Sequence, residues 1–251
     1  MAKSHAKKSR TGRLPALLLS VCMIALCGVV YWFTGANNFL AAACVTAAIG
    51  LPLCFLLFSR NQKKQNTGAF CMLFSLIALL VYLLAVPPQI HSDALERYPY
   101  QKRLSRLYPS VAAPNWFFDF QNDVTGDYHL DYEPNGLRST GLFTVRFRVD
   151  PQRAAAYAAL FSAESYLQFP LSDYQNGMYI SIPSSESVSG TADGLFTLDL
   201  SDGFWNNAFS DELHAQIYIM DYKLNHSQFV TGAAIVDTQD GRVQFFAMGS
   251  P

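Results

Sequence analysis

No cysteine occurs after Cys71, and no acidic residue occurs before Asp93. The first absence excludes a disulfide anywhere beyond residue 71, so cysteine neither staples that part of the chain nor reports its redox compartment. The second leaves residues 1–87 with eight basic residues and no acid, a formal charge of +8. Residues 88–251 carry ten basic and 19 acidic residues, a formal charge of −9. The whole-chain value of −1 is the sum of two opposite halves. An acidic second half disfavours nucleic acid as a partner, because that partner needs a basic footprint.

Chemical motifs are also missing. There is no G-x-S-x-G elbow, no H-E-x-x-H pair and no Walker loop. No cofactor is therefore expected. Ser4 and Lys7 form an S-x-x-K match, but it sits in the basic tail.

Three uncharged apolar runs dominate the first third, at 14–33, 39–58 and 69–86. About 20 mostly apolar residues are needed to cross ~30 Å of hydrocarbon. A soluble core helix of that length would carry a polar stripe, and these runs carry none. They read as three transmembrane helices within 14–87, preceded by a basic tail at 1–13. A cleaved signal peptide is the competing reading for the first run, given Lys3, Lys7, Lys8, Arg10 and Arg13 before it. That run exceeds a signal h-region, and a second follows almost at once. Leu26 and Val21, before Cys27 and Cys22, do not suit a lipoprotein site. Ala43 and Ala47 put small residues four apart on the second run, a spacing that lets helix backbones approach. No run contains Asp, Glu, Lys, Arg or His, the groups that proton and ion pathways use, so a transporter ranks low.

Lys and Arg mark cytoplasmic loops. The tail has five such residues and the second loop has Arg60, Lys63 and Lys64, whereas the first loop has none. This predicts a cytoplasmic N-terminus and a C-terminal domain outside the membrane. Arg97, Lys102, Arg103 and Arg106 oppose that orientation, four against eight. They fall in an expected juxtamembrane connector, 88–112, where they can meet lipid headgroups or simply face water.

The remainder, 113–251, reads as a soluble α+β domain, mostly antiparallel, with one clear helix. Phe143, Val145, Phe147 and Val149 alternate with polar residues, the pattern of a strand with one buried face. Asp150 and Pro151 supply an N-cap and a first-turn proline for a helix running to about residue 161. Further strands are expected at 116–120, 127–132, 178–182, 196–200, 216–222, 233–237 and 242–247, the last two joined at Asp240 and Gly241. A polar loop is expected at 184–194.

Asp127, His129 and Asp131 alternate along one predicted strand face, the nearest approach to an acid–base or metal site. A solvated face is the leading account of them, since Tyr128, Leu130 and Tyr132 form the apolar side. Asp119, Asp123 and Asp127 suggest calcium by composition, without EF-hand spacing or its terminal Glu. No metal site is expected. His214 and His226 stand alone, and the sequon beginning at Asn225 is a match expected by chance. Trp116, Trp205, Tyr218 and Tyr222 are candidate binding aromatics, within clusters that also include Phe117, Phe118, Phe204, Phe209 and Phe229. Core packing is the leading account of them.

The resulting expectation is a membrane-anchored extracytoplasmic domain that binds a protein, peptide or glycan without catalysis. Its alternatives are an envelope hydrolase using Asp127, His129 and Asp131, or a structural subunit of a membrane complex.

Overall fold

The computed structural model describes residues 13–59, 61–107, 113–134, 141–174, 180–182, 194–196, 204–205, 214–224 and 229–250. The chain divides into two compact units, residues 1–89 and 90–251.

The first unit consists of three helices, α1 (Arg13–Thr34), α2 (Asn37–Leu57) and α3 (Gln62–Ala85), each long and apolar enough to cross a membrane. Gly35 closes α1 at φ +72°, a conformation that suits a residue without Cβ, and its N–H bonds Tyr31 O at 2.7 Å. Asn61 caps α3 by accepting the Lys63 N–H. Pro52 lies inside α2, and the helix continues through it. The helices meet through Ala16, Leu57 and Met72 in one cluster and through Cys27, Ala42 and Leu83 in another. Cys27 and Ala42 therefore act as small packing residues. Most of the surface is apolar: Trp32, Phe70 and Leu84 are each more than 70% exposed. Such a surface is unsuited to water.

The second unit is built on a seven-stranded antiparallel sheet in the order β1-β2-β3-β9-β8-β7-β4. Its strands are β1 (Ile90–Ser92), β2 (Val124–Glu133), β3 (Gly141–Val149), β4 (Leu167–Pro170), β7 (Ala215–Leu224), β8 (Phe229–Asp237) and β9 (Arg242–Ser250). A separate pair joins β5 (Ile180–Ile182) to β6 (Gly194–Phe196). Two helices accompany the sheet, α4 (Tyr98–Ser105) and α5 (Pro151–Glu164).

One sheet face carries Leu130, Tyr132, Phe143, Val145, Phe147 and Phe245, all fully buried. Aromatic side chains from 116–120 cover it. Phe120 stacks on Phe147 at 4.1 Å, Phe117 meets Phe143 at 5.7 Å, and Phe161 of α5 meets Phe245 at 5.7 Å. The opposite face is divided. Ile217, Ile219, Ala233, Ile235 and Phe246 lie under Leu171, Tyr174, Phe204 and Trp205 in a second core. Across β1, β2 and β3 that face is polar.

Three expectations change. Residues 116–120 do not form a strand; Phe117 N–H turns back to Pro114 O, and the segment lies over the sheet as an aromatic cover. Part of the expected connector belongs to the second unit, because Ile90 of β1 and Tyr98 of α4 are fully buried. Strands β1 and β4 are unforeseen, being too short to show alternation. The expected strand at 178–182 is seen as β5, and that at 196–200 only through the end of β6. The rest of both, together with 206–210 and 225–228, lies outside the described residues.

Candidate functional site

Strand alternation puts His129 and Asp131 on the polar half-face of β2, two residues apart. The register of β1 brings His91 directly opposite Asp131. Asp93, just past β1, reaches the same place. The result alternates acid and imidazole. Asp93 Oδ1 lies 2.5 Å from His129 Nδ1. The second ring nitrogen, Nε2, lies 3.0 Å from Asp131 Oδ2. The other Asp131 oxygen lies 2.7 Å from His91 Nδ1, and His91 Nε2 lies 3.9 Å from Glu133 Oε1.

Ionised carboxylates only accept hydrogen bonds. Both contacts of His129 are satisfied together only when both ring nitrogens carry hydrogen. A ring engaged at both nitrogens has none left for a substrate. His91 differs: it is half exposed, and its Nε2 has only the longer 3.9 Å approach of Glu133 Oε1. Hydroxyl nucleophiles are poorly placed. Ser92 is buried and accepts the Ala94 N–H, and Thr144, opposite Asp131, is 4% exposed. Among the described residues no group of three or more His, Cys, Asp or Glu side chains is arranged to hold a metal ion.

Asp127 does not join the chain of contacts. It sits at φ +54°, where the β2 register shifts between Gly126 and His129, and its Oδ2 accepts from Arg148 Nε at 2.9 Å. The three aspartates that suggested calcium are each matched to a cation. Asp123 takes Arg153 and the Tyr157 hydroxyl, Asp127 takes Arg148, and Asp119 lies 3.8 Å from Lys102 Nζ. Burial, then the bond to Asp123, holds the Tyr157 phenol above its ordinary range.

Of the aromatic candidates, Trp205 and Tyr218 are buried and Trp116 is half-buried. Trp205 is 4% exposed and its indole N–H donates to Gln244 Oε1 at 2.7 Å. Arg242 lies 5.2 Å over its ring and is paired with Asp237 and Asp240. Tyr218 is 5% exposed, and burial raises its phenol pKa. Both rings are therefore interior. Trp116 is half-buried and donates to Asp221 Oδ2 at 2.7 Å. Tyr222 has its backbone in β7, and its side chain lies outside the described residues. His214 is exposed at the start of β7.

His91 and Asp93 are the members that sequence spacing does not reveal, because their meeting with β2 depends on a three-residue strand and its register, whereas Glu133 follows Asp131 in the alternation of β2 itself. In the first unit, a cavity of about 470 Å³ is lined by Ala42, Val45, Thr46, Met72, Ser75 and Leu79 among others. The Thr46 and Ser75 hydroxyls donate to carbonyls of their own helices, at Ala42 and Cys71, so its walls act as apolar ones. No protein-family model matches the chain, and neither a curated protein nor a solved structure does.

Proposed function

We propose that this chain is an integral membrane protein with its N-terminus in the cytoplasm and its sheet unit outside. There the unit serves as a non-catalytic binding or interaction domain. The supporting observation is the polar half-face. Its histidines and carboxylates are bonded to one another and stand beside no accessible hydroxyl nucleophile among the described residues. Such an arrangement is suited to recognition through the exposed Asp93, Glu133 and His91. A protein, peptide or glycan is the expected partner, and the three apolar helices supply the anchor.

Orientation is tested with Tyr166→Cys, which places a thiol at a position 75% exposed in a unit with no native cysteine. New labelling of intact cells by a membrane-impermeant thiol reagent supports the reading. Labelling only after lysis removes the extracytoplasmic half of it.

One observation favours a second reading, an envelope hydrolase. Asp131 holds His91 Nδ1 at 2.7 Å on a half-exposed ring whose Nε2 is approached only by Glu133, at 3.9 Å, the arrangement of an acid–base dyad. Turnover of an envelope substrate by the full chain, abolished by His91→Ala, would replace binding with catalysis.

A further inference from the structure

We infer that the outer face of α4 is a docking surface for the headgroups of an anionic lipid layer. The inference rests on the membrane-anchoring part of the proposal above, but not on its orientation. Four of the ten basic residues in 88–251 fall within 97–106, and no acid occurs from 97 to 118. In a half-chain of formal charge −9 this is a local reversal of sign.

Helical spacing sorts these residues. Tyr98, Gln101, Leu104 and Ser105 are buried against the sheet unit. Tyr100 and Arg103 of α4, with Arg106 and Leu107 just past it, are exposed, Tyr100 by 41% and Leu107 by 75%. Lys102 does not belong to this exposed set. Its ammonium donates to Phe117 O and lies 5.7 Å from the Tyr98 ring, and burial lowers its pKa. Arg97, Arg103 and Arg106 have no carboxylate within ion-pairing distance among the described residues. An aromatic and an aliphatic side chain flanked by unpaired arginines is the composition that settles at a lipid interface. Reach favours lipid over a protein partner. Only twelve residues lie between the end of α3 and the start of α4, and a chain of that length reaches at most about 47 Å.

Each arginine near an anionic surface strengthens docking by about fivefold, and Tyr100 and Leu107 add a contribution that salt does not screen. Screening shrinks to ~3 Å in 1 M salt, so the arginine share is lost there.

The test uses the full chain in nanodiscs of either zwitterionic lipid alone or zwitterionic lipid mixed with phosphatidylglycerol. Trypsin cleavage after Arg106 is compared with cleavage after Arg153, a half-exposed control at the start of α5. The expected result is a relative rate at Arg106 at least tenfold lower in the anionic discs, restored in large part by 1 M salt. The combined Arg97→Gln and Arg103→Gln changes should remove most of the protection while leaving Arg153 cleavage unchanged. Equal relative rates in the two lipids overturn the proposal. So does protection in both lipids that salt leaves intact, which would assign the face to an apolar contact. Failure of the chain to enter discs overturns the anchoring itself. Both disc faces carry the same lipid, so the outcome is independent of the orientation tested by Tyr166→Cys.

Discussion

Asp131 Oδ2 lies 3.0 Å from His129 Nε2, and both side chains are only about a quarter exposed. The second carboxylate oxygen holds His91 of β1. One aspartate thus organises its own strand and ties the sheet's edge strand to it.

Asp131→Ala removes both contacts. Because the cluster is open to solvent, the global cost should be about 1 kcal/mol. The local effect should be larger. Strand β1 has three register pairs and a single neighbour, so amide hydrogen exchange at Ile90–Ser92 should quicken about tenfold against β8 and β9. Unchanged exchange there would mean that backbone pairing alone holds β1.

The second core hangs on Trp205. Trp205→Ala should cost about 3–5 kcal/mol, since a buried aromatic leaves a cavity and Gln244 and Arg242 lose their contacts with it. Gln244→Ala should cost less, about 1–3 kcal/mol, by stranding the indole N–H. Denaturant unfolding of the purified chain followed by circular dichroism measures both. A loss below 1 kcal/mol for Trp205→Ala would place that ring outside the core.

Which features were legible follows from their range along the chain. The three apolar helices and β3 repeat their pattern over many residues, so composition and period reveal them. Asp150 and Gly241 act on their nearest neighbours: Asp150 Oδ1 accepts the Gln152 N–H at 2.8 Å, and Gly241 turns at φ +70°. The alternation of His129 and Asp131 could be read for the same reason. His91 and Asp93 could not, because they lie 36 to 40 residues away and arrive only through the β1 register. The segment 116–120 misled because its aromatics favour strands in general. Here the rings pack over a finished sheet, Phe120 flat on Phe147 and the others edge-on or tilted, instead of joining its edge.

Helix packing in the first unit depends on Gly68. A Cβ there would stand 2.9 Å from Leu56 Cβ and 3.4 Å from Leu53 O, so α2 and α3 would have to part. Gly68→Ala should therefore destabilise by about 1–3 kcal/mol. Gly50→Ala is the paired control, since its Cβ would meet only Met72 Cε at 3.9 Å. Gly50→Ala should be neutral or stabilise by up to about 1 kcal/mol through helix propensity. Thermal unfolding in one detergent compares the two. Equal effects would mean that α2 and α3 do not approach this closely.

Tyr98 gives the last prediction, and its sign reverses the usual expectation for a buried polar group. The side chain is fully buried and its hydroxyl has no hydrogen-bond partner among the described residues. Burial raises its phenol pKa, with Asp119 adding to the effect, and burial likewise raises those of Tyr128, Tyr157 and Tyr218. A phenol whose folded pKa exceeds the unfolded value near 10 contributes stability that is complete below pH 10 and lost as pH climbs toward the folded value. Lys102, lowered by burial, works the other way, one ammonium against four phenols. The unit should therefore unfold at alkaline pH, with the phenolate absorbance of these four tyrosines appearing in the same step as the loss of circular dichroism. Tyr98→Phe removes an unpaired hydroxyl, so it should leave stability at pH 7 unchanged or raise it by about 1 kcal/mol. It should also make the alkaline fall shallower, because one fewer proton is released on unfolding. A Tyr98→Phe variant less stable at pH 7 would show that the hydroxyl has a partner that its burial conceals.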